Sequence, residues 1–442
     1  MELLNKFFEK VNFLKATKIS LALFLLILPW QTVYIFREVF WDETKWEYGT
    51  LNFYFSEFIL CFFILFGFIW LWKNKIKSFK NLTLLLNQKI IPVLFISLIF
   101  LFFAISGFLA SDFALAFQKI RQIIEALLFF FLLILLPIKF NFIIRWFFIG
   151  SLLPTILGIW QFISQNSFNS TLLGISKHTT WIAGSSIISG PIIGRWLRAY
   201  GSFAHPNIFG GYLFLVLFSL LLNFYKLKQN STLLIFLFSI VPIIGLFFSF
   251  SRSAWLAFLF FIIFIFILAF IKKRDNFVRA LFYLSFLIVS LVFIFYPLVQ
   301  VRVLGNSTNE AVSINERVLG YSDAGNILKD SLFFGVGGGN YTLALKEKYP
   351  NIKPWSYQPV HNIFILFLIE FGLIGFTLVL GTLYIFEKEL KLKKQLNLKV
   401  ILLLFPFIIL GILDHYLYSF PVGLFLSSLF CVIVYRYFLD KK

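Results

Sequence analysis

Charged side chains are scarce in this chain: Asp, Glu, Lys and Arg together make up 13% of its 442 residues. A water-soluble chain of that length needs far more, because polar side chains must cover what apolar ones cannot. Instead 60% of the residues are hydrophobic and 21% aromatic, Phe alone numbering 64, and the mean hydropathy is +0.90. Only an apolar solvent removes the penalty on such a composition, so an integral membrane protein is expected. Cysteine is nearly absent. The two present, Cys61 and Cys431, fall in separate apolar runs, which argues against a disulfide framework or a metal site and leaves packing as their role.

Several catalytic signatures are missing as well. No Walker motif occurs: the glycine run Gly335-Val-Gly-Gly-Gly339 has no Lys-Ser/Thr after it. Neither Asp-x-Asp, nor clustered carboxylates, nor Gly-x-Ser-x-Gly is found, so nucleotide-dependent chemistry is not expected, nor any cofactor or bound metal. No soluble domain stands at either end and no internal repeat is visible, so residues 1–442 read as a single polytopic membrane domain. The first apolar run lacks a small-residue cleavage site and runs into Pro29-Trp30, so it reads as retained.

What is present is a series of apolar runs of the roughly 17–25 residues that cross a hydrocarbon layer. They predict about twelve transmembrane helices, near 19–36, 53–72, 90–110, 122–138, 146–163, 204–224, 231–250, 253–271, 280–300, 361–386, 400–414 and 419–439. Basic residues set the orientation. With the N-terminus (Lys6, Lys10, Lys15, Lys18) in the cytoplasm, alternate loops carry Lys73, Lys75, Lys77 and Lys80; Lys139 and Arg145; Lys226 and Lys228; and Lys272, Lys273, Arg274 and Arg279. The same side receives Lys388, Lys391, Lys393, Lys394 and Lys399, and finally Lys441 and Lys442. Both termini are therefore expected in the cytoplasm. The formal net charge of +19 reads as topological charge beside anionic lipid, not as a nucleic-acid surface, since no aromatic–basic interleaving lies outside the apolar runs.

The opposite face holds an acidic, Trp-rich segment from Arg37 to Asn52, a stretch near 164–203, a short junction at Ser249–Ser253, and one long loop near 301–360. All four histidines, His178, His205, His361 and His415, fall on that face or at helix ends beside it. The long loop exceeds a plain connection, which predicts structure and function within it. Ser313-Ile-Asn-Glu316 has the capping-box pattern, and Val318, Tyr321, Ile327 and Leu328 share a face, predicting a short amphipathic helix near 314–332.

Cations gather on this face in apolar surroundings: Arg195 and Arg198 before Ala-Tyr-Gly-Ser-Phe-Ala-His205-Pro-Asn207, Arg252 in Phe250-Ser-Arg-Ser-Ala-Trp255, Arg317 in the loop helix, and His361-Asn362 before a span. The fixed fork of an Arg matches phosphate oxygens bidentately, and helix N-termini add oriented N–H groups. Converging, such residues make an anion site suited to a diphosphate at the membrane surface. Each also has a bland reading. An Arg at a span end snorkels to the headgroups, Arg195 is a loop charge, His205 before Pro enters a helix, His178 sits in a polar loop, and Asp414-His415 is an interfacial pair. Glu57, Glu125 and Glu370 read as proton-relay residues or as helix–helix hydrogen-bonding groups.

The pattern resembles the O-antigen ligase and polymerase superfamily, membrane glycosyltransferases of bacterial envelope polysaccharides. Four ordered motifs carry the resemblance: Arg198 to Asn207; Ser251-Arg-Ser-Ala254; Arg317 to Asp330 followed by Phe334-Gly-Val-Gly-Gly-Gly-Asn-Tyr341; and His361-Asn362 with Glu370-Phe-Gly-Leu-Ile-Gly375. The resemblance implies an all-α, GT-C-like polytopic bundle in the bacterial inner membrane, with an outer loop helix over a lateral, lipid-accessible cavity. It implies transfer of a glycan from an undecaprenyl-diphosphate carrier to a glycan, lipid or protein acceptor, inverting and without metal, on the extracytoplasmic face. Carried onto this chain, Arg198, Arg252 and Arg317 hold the diphosphate, Lys119 and Arg121 are further phosphate candidates, and His361 is the base. His205, Asn207 and Asn362 take secondary roles. A histidine titrating near neutrality suits proton removal, and a dianionic leaving group needs charge stabilisation. The alternative is a polysaccharide flippase or anion transporter, which predicts inverted repeats and ionisable residues at mid-membrane, whereas here the charges concentrate at one face.

Overall fold

The computed structural model describes residues 12–74, 90–227, 231–305, 308–389 and 398–439, and a helix stands over each of the twelve expected apolar segments. In chain order these helices are α1 (Phe13–Ile27), α2 (Phe55–Lys73), α3 (Ile90–Leu109), α4 (Phe113–Leu135), α5 (Phe140–Ser164), α6 (Pro206–Lys226), α7 (Thr232–Phe248), α8 (Arg252–Ile271) and α9 (Asp275–Ile294). Then follow α10 (Tyr296–Leu304), α11 (Thr308–Asp330) and α12 (Tyr341–Lys348), before α13 (Ile363–Glu389), α14 (Leu398–Leu413), the single turn α15 (Tyr416–Ser419), and α16 (Pro421–Leu439). Among the described residues six helices are long and apolar enough to cross a membrane: α2, α5, α6, α8, α9 and the Ile363–Thr382 part of α13. Thr232–Phe248, Val400–Leu413 and Pro421–Tyr437 are apolar but shorter. The architecture is that of a mostly helical membrane bundle.

Several helix ends differ from the hydropathy reading. The first helix stops at Ile27 instead of running to 36, because β1 (Val33–Arg37) pairs antiparallel with β4 (Leu51–Tyr54), enclosing the two-residue strands β2 (Phe40–Trp41) and β3 (Thr44–Lys45). A second small hairpin joins β5 (Ile187–Gly190) to β6 (Gly194–Leu197). The fourth helix starts at Phe113 instead of near 122, since Asp112 caps it through a bond from Leu115 N to Asp112 Oδ1 (3.1 Å). The loop helix begins at Thr308, so Ser313 lies within it and not at its cap.

The bundle is built around α6, whose apolar window is 83% buried, so this helix meets protein on all sides. It packs against α5, α7, α8 and α16, with Phe214 edge-on to Phe261 and Phe218 tilted against Phe261 and Phe430. Gly211 permits a close approach that no other residue would: a Cβ there would stand 1.7 Å from Tyr416 Oη.

Basic side chains lie on aromatic rings at both ends of the bundle, Arg195 over Trp181 and Lys346 over Trp41 at one. The other has Lys73 over Phe13, Lys226 over Phe140 and Arg274 over Tyr225, while Arg436 donates to the carbonyls of Leu133, Leu136 and Ile138. Of the basic residues used to orient the chain, Lys6, Lys10, Lys75, Lys77, Lys80, Lys228, Lys391, Lys393, Lys394, Lys441 and Lys442 lie outside the described residues. At the first end the loops knit into a cap. Thr32 Oγ1 donates to Leu172 O (2.6 Å), Ser202 Oγ to Pro29 O (2.6 Å), and Arg37 pairs with Asp112 (2.7 Å), whose backbone N–H donates to Asn340 Oδ1 (2.9 Å). Trp41 stacks on Trp46 and meets Tyr357 edge-on.

Candidate active site

The cap rests on helix ends, and the polar residues collect there. His205 is the N-cap of α6, with Pro206 preset for the first turn, and its Nδ1 accepts from Asn207 N (3.1 Å). The neutral ring therefore carries its proton on Nε2 and donates to Ser186 Oγ (2.8 Å). Burial first, then the Arg198 charge, pushes the His205 pKa down to about 3, so both ring nitrogens serve the fold.

From Asn207 a hydrogen-bonded line runs through the site. Asn207 Oδ1 accepts from Arg198 Nη2 (2.7 Å), and its Nδ2 donates to Asp414 Oδ2 (2.7 Å). Asp414 Oδ1 accepts from the backbone of His415 (2.8 Å). The ring of His415 bonds Ser419 Oγ through Nδ1 (2.9 Å) and meets His361 edge to face, centroids 5.1 Å apart. His361 immediately precedes Asn362, whose Oδ1 caps α13 by accepting from Phe364 N (3.0 Å) and Ile365 N (3.2 Å).

The charges of this cluster follow from its surroundings. Burial lowers the His361 pKa, and Arg317 on α11 lowers it further, while Asp414 acts the other way. His415 is pushed down to about 3 by burial, then by His361, against the pull of Asp414. Burial alone would raise the Asp414 carboxyl, but His415, His361, His205 and Arg317 together hold it below its ordinary value. At neutral pH the site therefore holds one carboxylate and neutral imidazoles among arginines, and His361 is in the form that accepts a proton.

Two arginines clamp the junction between α7 and α8. Arg198 Nε donates to Ser249 O (2.9 Å) and Arg302 Nε to Phe250 O (2.9 Å), and both arginines are buried. Between those carbonyls Phe250 stands at φ 46°, a left-handed backbone that a bulky residue keeps only when its neighbours enforce it. Arg252 is the first residue of α8, directly after this strained turn.

The glycine motifs form the other wall. Gly372, at φ 64° and ψ −175°, breaks α13, and the broken ends pair with the turn after α11. The carbonyls of Ile369 and Glu370 accept from Val336 N (3.0 Å) and Gly337 N (2.9 Å), while Leu373 N and Ile374 N donate to Leu332 O (2.9 Å) and Phe333 O (3.1 Å). The Gly335–Gly339 run thus binds one broken end of α13 through its backbone.

The structure brings together His361, Arg317, Arg198, His205 and Asn207, with Asn362 as the cap beside them. Lys119 reaches the same group from α4: its Nζ donates to Tyr418 O (3.1 Å) and Ser419 O (2.9 Å), and Ser419 is the partner of His415. Arg121 is engaged elsewhere, pairing with Glu57 (2.9 Å) and Glu125 (2.6 Å) over the Phe53 ring. Sequence reasoning took Asp414-His415 for an interfacial pair and did not single out Arg302. The available signal was an ionisable residue closing an apolar run.

A mostly helical, multi-pass chain with a polar site where its helix ends meet a cap defines a class of membrane protein. Residues 234–380 match the family model described as O-antigen ligase, and over them the chain is similar to that superfamily, as its motifs indicated. The match runs from α7 into α13 and includes Arg252, Arg317 and His361, while Arg198, His205 and Asp414-His415 lie outside it. No curated protein and no solved structure matches the chain.

Proposed function

We propose that the protein transfers a glycan from an undecaprenyl-diphosphate carrier to an acceptor at the extracytoplasmic face of the bacterial inner membrane. The acceptor hydroxyl oxygen attacks the anomeric carbon from the side opposite the diphosphate. Its proton passes to His361, the carbon–oxygen bond to phosphate breaks, and undecaprenyl diphosphate leaves, so the configuration inverts and no metal takes part. Arg317 and Arg252 receive the diphosphate, and the buried Arg198 is a positioning residue that holds Asn207, and through it Asp414. Arg121 neutralises Glu57 and Glu125 and takes no part in this reaction. The observation that supports this reading is the edge-to-face contact of His361 with His415, while the charges of Asp414 and Arg317 both act on His361. A general base near its substrate contributes about 10²–10⁴ in rate.

The test uses purified protein in nanodiscs with a synthetic undecaprenyl-diphosphate oligosaccharide and EDTA, read by mass. Elongation by the wild type, reduced at least 100-fold in His361→Ala and in Arg252→Ala, is the expected result. Transfer only after adding a lipid or peptide acceptor would identify a ligase, and consumption of no carrier with any acceptor would overturn the reading.

A further inference from the structure

On α4, Leu115, Gln118, Lys119 and Gln122 recur at helical spacing and line one wall of a cavity of about 280 Å³. Polar residues in a helix of spanning length are costly unless they serve a site. Two of these are nine-tenths buried and short of partners. Gln122 is 3% exposed, and its side-chain amide, which has donors and an acceptor, makes no hydrogen bond among the described residues. Lys119 is 7% exposed and uses two of its three N–H donors on Tyr418 O and Ser419 O, the third having no acceptor among the described residues. Buried polar groups are normally paired, and these two border a cavity with room for roughly nine waters at ~30 Å³ each.

We infer that this cavity binds one sugar residue of the acceptor glycan, with Gln122 and Lys119 bonding its hydroxyls; the inference rests on the glycan-transfer reading above. Three features select a neutral polyol over a phosphate. No arginine lines the cavity, and Lys45 in its lining is paired with Glu38. The Lys119 charge is balanced within the same wall by Glu370, which accepts from Tyr418 Oη. Tyr48, Tyr54, Tyr418 and Phe420 add aromatic surface against which the apolar side of a sugar ring packs. The volume lies just under the usual range of about 300–1,000 Å³ for small-molecule sites, which suits a single ring. The position suits an acceptor. Ser419 lines the cavity and bonds His415, which touches His361, so these two side chains link a sugar held there to the base, while the diphosphate arginines lie outside the lining.

The experiment is Gln122→Met, which keeps the length of the side chain and removes its hydrogen bonding. Because the amide has no partner within the protein, the thermal midpoint stays level or rises. In the transfer assay the variant should raise the acceptor KM at least tenfold with little change in the donor KM, and Gln122→Asn should recover part of that loss. Unchanged acceptor KM in Gln122→Met overturns the inference and leaves the transfer reading intact. Saturation-transfer NMR on full-length protein in phosphatidylcholine nanodiscs, with the methyl glycosides of glucose, galactose, N-acetylglucosamine and rhamnose, separates the two claims. Glycoside binding lost in Gln122→Met but kept in His361→Ala supports the sugar site even if no transfer is found. Equal signals in wild type and Gln122→Met count against it.

Discussion

The histidines of the site make the fold sensitive to acid. Neutral His205, His361 and His415 share the cluster with Asp414, Arg198, Arg302, Arg317 and Lys119, and burial holds all three imidazoles below the ordinary value near 6.5. Below pH 6.5 the unfolded chain binds protons that the folded one refuses, so stability falls as pH falls, by about 1.4 kcal/mol per pH unit for each of His205 and His415, both held down to about 3. Asp414, held below its ordinary value, loses its contribution only under about pH 3.9. We therefore expect the thermal midpoint in detergent to drop between pH 7.5 and pH 5, and to drop less in His205→Asn, which can still cap α6. A midpoint flat across that range would mean the histidines are already charged in the fold. At this scale the sequence reveals chemistry but not partners. His361 could be picked out as an unusual type at a helix end and Arg317 as a cation in the loop helix, whereas the roles of Asp414 and Asn207 depend on the start of α6 meeting the turn after α14. Those helices are far apart along the chain, and no local pattern encodes their contact.

Element by element, apolar length identified the helices and failed at their interruptions. Hydropathy cannot distinguish Val33–Arg37 as a strand from the end of a helix, because the pairing that decides it comes from Leu51–Tyr54. The start of α4 was hidden for another reason: its polar stripe interrupts the apolar run while the backbone continues helical. The glycine motifs were visible as two separate signatures, and only the fold shows them as halves of one joint. Gly372 occupies a backbone region open essentially to glycine alone, and a Cβ there would come within 2.3 Å of Phe333 O. Gly372→Ala should destabilise by about 3 kcal/mol, combining backbone strain with that clash. Gly325→Ala, on α11 with nothing within 4 Å of the added methyl, should be neutral or stabilising by up to about 1 kcal/mol. Thermal unfolding of the pair checks this, and equal midpoints would mean the joint is not needed for the fold.

For the whole molecule, the contrast between the end with Lys73, Lys226 and Arg274 and the capped end predicts which compartment each faces. With Cys61 and Cys431 replaced by Ser, a membrane-impermeant maleimide applied to intact spheroplasts should label Lys177→Cys in the cap. Lys272→Cys, at the opposite end, should react only after permeabilisation. The reverse pattern would turn the site toward the cytoplasm and remove the lipid-carrier reading. The central helix α6 carries a different implication. In the finished protein it is walled in by its neighbours, so almost none of its surface meets lipid. During synthesis, however, it must enter the bilayer before α7, α8 and α16 exist to surround it. Its apolar run Ile208–Leu222, in which Tyr212 and Ser219 carry the polar side-chain groups, thus answers to two solvents in succession, first lipid and then protein. A polar side chain that the mature core could satisfy would still be refused at the earlier step, so the sequence of α6 records the order of assembly as much as the final packing.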